Sequence, residues 1–147
     1  MVSKILDHLY LGDAVDAMKF EGEIICVMQE IPKFEKEKAY WIPIIRTKGK
    51  NPIDWDRLIG EQEVDVTALP HQLDLVADLI DKNIKQNKDV LVHCMASIER
   101  SPLTIVYYLH KRKNMGYNEA YSYVKKIHPT ASNRLNWLNL SYDEVTS

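Results

Sequence analysis

Apolar and polar positions alternate along this chain in two different periods. Short apolar runs at 4–11, 23–28, 40–45, 63–66 and 89–93 carry the β-branched and aromatic residues of strands, and the last, ending Val90-Leu91-Val92-His93, has no polar alternation. A strand apolar on both faces is one covered on both faces. Residues 70–86 change to a helical period: Leu73, Val76, Ala77, Ile80 and Ile84 fall on one stripe, with Asp74, Asp78, Asp81 and Lys85 opposite, which predicts an amphipathic helix with a solvated acidic face. From Ser101 to about Lys113 the pattern is apolar all round, through Leu103, Ile105, Val106 and Leu109, so this helix should be central. Ser101 as N-cap and Pro102 at the first helical position predict its start. Gly116 breaks the chain, Asn118 can cap a further helix with Ala120, Tyr123, Val124 and Ile127 inward, and Asn133 can cap a last one carrying Leu135, Leu138, Tyr142 and Val145. Arg46 to Asn51, basic and Gly-containing, reads as a long loop. Strands mixed with helices, then three helices in succession, predict one α/β domain over residues 1–147. Its centre is a mixed, mostly parallel twisted sheet of about five strands flanked by helices.

Composition narrows the function classes. With 147 residues and 46% hydrophobic content the chain can bury a real core, and a net charge of −2 provides no global field for nucleic acid or an anionic membrane. No apolar stretch approaches the ~20 residues of a membrane span, and Met1-Val2-Ser3-Lys4 lacks the apolar region of a secretory signal. Cys26, inside Ile24-Ile25-Cys26-Val27-Met28, reads as an inert core thiol, and two cysteines so placed fit a reducing cytoplasm. The scattered histidines His8, His71, His110 and His128 call for no functional reading. Lys36, Lys38, Arg46, Lys48 and Lys50 read as solvated charge.

The chemistry concentrates in His93-Cys94-Met95-Ala96-Ser97-Ile98-Glu99-Arg100-Ser101, between the apolar strand and the apolar helix. A thiol and a guanidinium stand at the two ends of one tight strand-to-helix loop. The residues between, Met95 to Glu99, can turn their backbone N–H groups inward, and such a ring at a helix N-terminus binds phosphate-like oxygens. Arg100 can add a bidentate fork. The dipole, amides and guanidinium should also lower the Cys94 pKa, leaving it partly or fully ionised near neutrality. A nucleophile and an oxyanion cradle in one loop are the equipment for phosphoryl transfer through phosphocysteine. His93 would orient the loop by hydrogen bonds to its backbone. No metal or organic cofactor is implied.

His93-Cys94, five residues, then Arg100-Ser101 resembles the signature of cysteine-dependent protein tyrosine phosphatases. Ile5 to Leu11, with Leu9-Tyr10-Leu11-Gly12 and Ala14, resembles the opening strand of the small dual-specificity branch. Lys125 to Leu138, with His128-Pro129, Asn133 and Leu138, resembles its closing helix pair. The resemblance implies that Cys94 attacks phosphorus, Arg100 binds the phosphate, and the Ser101 hydroxyl assists departure of the thiolate. It also implies an aspartate general acid on a separate loop upstream. Asp65 fits that spacing, with Glu63 the nearest competitor, and Asp54 and Asp56 flank Trp55 in a segment, Asn51 to Gln62, without a family counterpart. Two positions depart from the family: Ser97 stands where glycine is usual, so a positive φ there would be strained, and Glu99 puts an acid beside the arginine. The expected partner is a phosphorylated protein or peptide, with no nucleic acid or membrane expected and a monomer favoured. Two alternatives stay open: a catalytically impaired module that captures phosphorylated partners, and a phosphatase acting on a phosphoinositide or RNA 5′-phosphate.

Overall fold

A five-stranded sheet has β7 (Val90–His93) at its centre, the fully apolar strand of the sequence. In the computed structural model, which describes residues 2–29, 39–48, 65–141 and 143–144, the strand order is β1-β2-β7-β3-β4. β1 (Ser3–Leu6) runs antiparallel to β2 (Leu9–Gly12), while β2, β7, β3 (Glu23–Cys26) and β4 (Ala39–Trp41) are parallel. The mixed, mostly parallel sheet thus agrees with the α/β expectation. A separate antiparallel pair joins β5 (Ile45–Lys48) to β6 (Asp65–Ala68).

Both faces of the sheet are covered. On one side α2 (Pro70–Lys85), α3 (Arg100–Arg112) and α4 (Tyr117–Ile127) enclose the main core with Val90 and Val92 of β7 and Ile25 of β3. On the other, α1 (Ala14–Lys19) places Ala17 against Ile24 and Leu91, with Tyr10 and Phe20 packed alongside. Alternate residues of one strand therefore enter different layers, which is why β7 reads as a continuous apolar run. α3 is buried from Arg100 to Leu109, in agreement with its all-round apolar pattern.

Several local expectations change. The run 4–11 is not one strand but a hairpin turning at Asp7 and His8; His8 has φ 70°, and its Nδ1 lies 2.8 Å from Asp89 Oδ1. The run 40–45 splits around Pro43 into β4 and β5, so Arg46 to Lys48 is strand rather than loop. α1 is absent from the sequence prediction because it is short and exposes Val15 and Met18, leaving no apolar stripe; Asp13 and Asp16 close its capping box instead. Gly12 lies just ahead of it, and a Cβ there would lie 2.8 Å from Asp16 Oδ2, so glycine leaves room for the side chain that closes the capping box. Gly116, not Asn118, occupies the N-cap of α4. Asn133 is not the expected cap: Arg134 occupies the N-cap of a single 3-10 turn, Leu135–Trp137, Asn133 Oδ1 accepts from Leu135 N–H at 3.0 Å just ahead of it, and residues 138–141 are not helical.

The acidic face of α2 is also more than solvated. Tyr107 and Tyr108 donate their hydroxyls to Asp74 (2.6 Å) and Asp81 (2.7 Å), and Arg112 donates to Asp78 and Asp81. Burial and the adjacent carboxylates push both tyrosine pKa values well above the ordinary phenol range. These bonds fasten α2 to α3, the helix that begins at the signature loop.

Candidate active site

The parallel register brings Gly12, His93, Cys26 and Trp41 into one row across the C-terminal edge of the sheet. Loops at that edge of an open parallel sheet gather where ligands bind. The row is fixed by backbone: Val27 N–H donates to His93 carbonyl (3.0 Å) and Ala14 N–H donates to Met95 carbonyl (3.1 Å). The first residue beyond β7 is Cys94, 2% exposed, on the floor of a loop that closes into α3. Neither Cys94 nor the buried Cys26 is in a disulfide.

The loop's carbonyls turn away from its interior. Met95 carbonyl meets Ala14 N–H, Ser97 carbonyl meets His128 Nε2 at 2.8 Å, Ile98 carbonyl accepts from Ser132 N–H at 2.7 Å, and Glu99 carbonyl accepts from Leu103 N–H at 3.1 Å. His93 Nδ1 lies 3.2 Å from Cys94 carbonyl. In a trans peptide the N–H of the next residue points opposite to the carbonyl, and the described residues contain no cis bond. The N–H groups of Ala96, Ile98, Glu99 and Arg100 therefore point to the loop's other side. Those of Ser97, Arg100 and Ser101 hydrogen-bond Cys94, the Ser101 hydroxyl lies 3.2 Å from Sγ, and Ser97 Oγ lies 3.1 Å from Ser101 Oγ.

These donors do not dominate the thiol's ionisation. Burial pushes the Cys94 pKa above its ordinary value, although the Ser101 hydroxyl and the three N–H groups pull it down. Reading the loop from sequence weighed the donors and the helix N-terminus but not desolvation, and so expected the opposite direction. Burial also lowers the His93 pKa, keeping the imidazole neutral against weaker opposing contributions from Cys94 carbonyl, Asp13 and Asp16.

Ser97 has φ 57°, so the residue that stands where glycine is usual does adopt the left-handed conformation in which a Cβ is strained. Glu99 does not point freely outward: Arg134 Nε–H donates to its Oε2 at 2.5 Å. Arg100 is 3% exposed and opens α3, with Glu99 at the N-cap; the cap thus falls two residues before the predicted Ser101, and Ser101 is fully buried beneath the loop. Met95 and Ile98 are the exposed apolar residues of the rim. Asp65 opens β6 opposite Lys48, but its side chain lies outside the described residues, as do Glu63, Asp54 and Asp56. Sequence reading missed His128 and Arg134, which contact the loop; only their position in the Lys125–Leu138 stretch hinted at them. No group of three His, Cys, Asp or Glu side chains is gathered as a metal site among the described residues.

Comparison with known proteins places most of the chain in one family. A family model described as "Dual specificity phosphatase, catalytic domain" matches residues 9–142. Human dual specificity protein phosphatase 16 is 42% identical over 151 residues, covering 96% of this chain and 20% of that protein. The Arabidopsis thaliana protein-tyrosine-phosphatase IBR5 is 39% identical over 129 residues, covering 87% of this chain and 45% of that protein. This chain thus spans a fifth and under half of those relatives. The solved structure of DUSP15 superimposes with a TM-score of 0.69 at 19% identity, covering 92% of this chain and 81% of that one.

Proposed function

The chain belongs to the dual-specificity phosphatase catalytic-domain family, and on that premise we propose that it hydrolyses phosphomonoesters of proteins through a phosphocysteine intermediate. The substrate is a phosphorylated protein or peptide bearing phosphotyrosine, or phosphoserine and phosphothreonine. In the first step the Cys94 thiolate attacks phosphorus in line. The N–H groups from Met95 to Glu99 and the Arg100 guanidinium bind the three non-bridging oxygens, the P–O bond breaks, and Asp65 protonates the leaving oxygen. In the second step the Asp65 carboxylate takes a proton from water, the water oxygen attacks phosphorus, and the S–P bond breaks. The Ser101 hydroxyl donates to the departing sulfur. His93 holds the loop from behind.

The observation that carries this reading is a buried thiol receiving three backbone N–H groups and a hydroxyl, within a loop whose carbonyls are bonded outward. Such an arrangement serves a charged sulfur and an incoming oxyanion alike. Two features support Asp65: it precedes α2 at the family's spacing, and β6 packs against the 3-10 turn Leu135–Trp137, adjacent to the residues that touch the loop. The residues act as one catalytic domain, 1–147, as a monomer in a reducing cytoplasm, with no metal or organic cofactor in either step. Among the described residues no helix is long and apolar enough to cross a membrane.

The test is turnover of para-nitrophenyl phosphate. Cys94→Ser should abolish it while tungstate still binds, and Asp65→Asn should lower kcat by about 10²–10⁴-fold. Undiminished hydrolysis by Cys94→Ser overturns the mechanism, and an unaffected Asp65→Asn moves the acid to Glu63 or another carboxylate. A wild-type protein that binds phosphopeptides without turnover is the binding module instead.

A further inference from the structure

Three successive residues of the signature loop are held by one distant segment, 128–134. Its first contact is His128 Nε2 to Ser97 carbonyl (2.8 Å), its second Ser132 N–H to Ile98 carbonyl (2.7 Å), its third Arg134 Nε–H to the Glu99 carboxylate (2.5 Å). The first two explain why the loop's carbonyls face outward. The third concerns charge. Glu99 occupies the N-cap of α3, yet its side chain makes no cap hydrogen bond there. An unpaired carboxylate at that place would compete with an incoming anion for the same helix N-terminus and oppose it electrostatically.

Arg134 is well placed to prevent this. Its own N–H donates to Tyr121 Oη (3.0 Å), and its guanidinium lies 5.5 Å from the centre of the Trp137 ring. The Glu99 and Arg134 side chains are only 14% and 24% exposed, so water screens the pair less than it would a surface ion pair. Two of the loop's departures from glycine and a neutral residue, Ser97 and Glu99, thus both meet partners from 128–134.

We propose that Arg134 is a positioning residue of the phosphate-binding loop. It draws the Glu99 carboxylate sideways and neutralises it, so that an anion entering the bowl meets N–H groups rather than a negative charge. His128 and Ser132 hold the adjoining carbonyls back. The role rests on the reading that this bowl takes a phosphoryl group, and it adds to the family's catalytic set a residue acting through Glu99.

The experiment is calorimetric titration with tungstate, run beside thermal melts, on the wild type, Glu99→Gln, Arg134→Gln and the double variant Glu99→Gln/Arg134→Gln. Arg134→Gln strands a carboxylate beside the anion, so its tungstate affinity should fall on the order of tenfold or more. KM for para-nitrophenyl phosphate should rise with it. The double variant removes the stranded charge and should recover most of that loss, although its melting temperature stays as low as that of the single variant. Glu99→Gln should bind tungstate as tightly as the wild type or tighter, which provides a second arm should Arg134→Gln fail to fold. A double variant as weak as Arg134→Gln reduces Arg134 to scaffolding and overturns the proposal, as does tenfold weaker binding by Glu99→Gln. A wild type that takes up no tungstate removes the phosphatase reading itself, and this inference with it. Tungstate bound equally by all four removes the inference alone.

Discussion

Replacing Ser101 with alanine isolates a side-chain hydroxyl that touches the nucleophile. Ser101 Oγ lies 3.2 Å from Cys94 Sγ, and both residues are buried, at 0% and 2% exposure, so water does not replace the lost donor. A deleted oxygen also leaves too little room for a water molecule. Hydrogen bonds to charged groups are worth about 1.5–3 kcal/mol and those between neutral groups about 0.5–1.5 kcal/mol. The thiolate therefore loses about 1 kcal/mol more than the thiol, which at 1.36 kcal/mol per unit lifts the Cys94 pKa by about 0.7–1 unit. The shift adds to burial, which already holds the thiol above its ordinary value. Thiolate absorbance followed against pH measures it, with the Cys94→Ser protein subtracted to cancel Cys26. The rising limb of kcat/KM should move upward with the absorbance midpoint. Ser101→Thr retains a hydroxyl and should return both midpoints toward the wild type. A midpoint unmoved or lowered in Ser101→Ala refutes the claim that this hydroxyl stabilises the charged sulfur. A shift retained in Ser101→Thr assigns the effect to packing.

The left-handed conformation of Ser97 costs about 1–2 kcal/mol in a residue with a Cβ, close to what its hydrogen bond to Ser101 returns. Ser97→Gly should accordingly leave the denaturation midpoint nearly unchanged, whereas Ser97→Val, β-branched at positive φ, should lower it clearly; equal tolerance of both contradicts the strain argument. His93 is neutral and buried, with its pKa lowered from the ordinary 6.5. The unfolded chain takes up a proton there that the folded chain refuses, so this contribution to stability is present above pH 6.5 and lost as pH falls below it. Urea midpoints measured on either side should show the loss, and His93→Gln should lack that part of the slope. Tyr108→Phe removes the hydroxyl donated to Asp81 at 2.7 Å and should cost about 1–2 kcal/mol in urea unfolding, with activity falling less than stability. A cost under about 0.3 kcal/mol would mean that Arg112 alone satisfies Asp81.

Failures of the sequence reading share a physical cause. Period and capping report what a segment does with its own apolar face, and they failed where that face is too small to detect or where a distant partner overrides local preference. His8 tolerates a positive φ beside Asp89, eighty-one residues away in sequence, so one apparent strand is two. α1 has no stripe to detect because it covers the sheet with two alanines and leaves Val15 and Met18 outside. The acids of α2 face solvent in a helical wheel but meet Tyr107, Tyr108 and Arg112 in space. Cys94 shows the same limit in its chemistry: its donors are neighbours in sequence and could be counted, whereas its burial comes from layers packed around it.

The sequence by itself determined the covered central strand, the buried helix after it, and a thiol, arginine and serine joined by a loop too short to separate them. These follow from local apolar runs and from spacing, which no tertiary arrangement can change. Only the tertiary structure decided which way the loop's carbonyls turn, how deeply the thiol is buried and where the Glu99 charge goes. The carbonyls and the charge depend on partners from elsewhere in the chain, Ala14, His128, Ser132 and Arg134, and the burial on the core packed around Cys94. Hydrogen bonds and desolvation act through space, and one-dimensional order records neither.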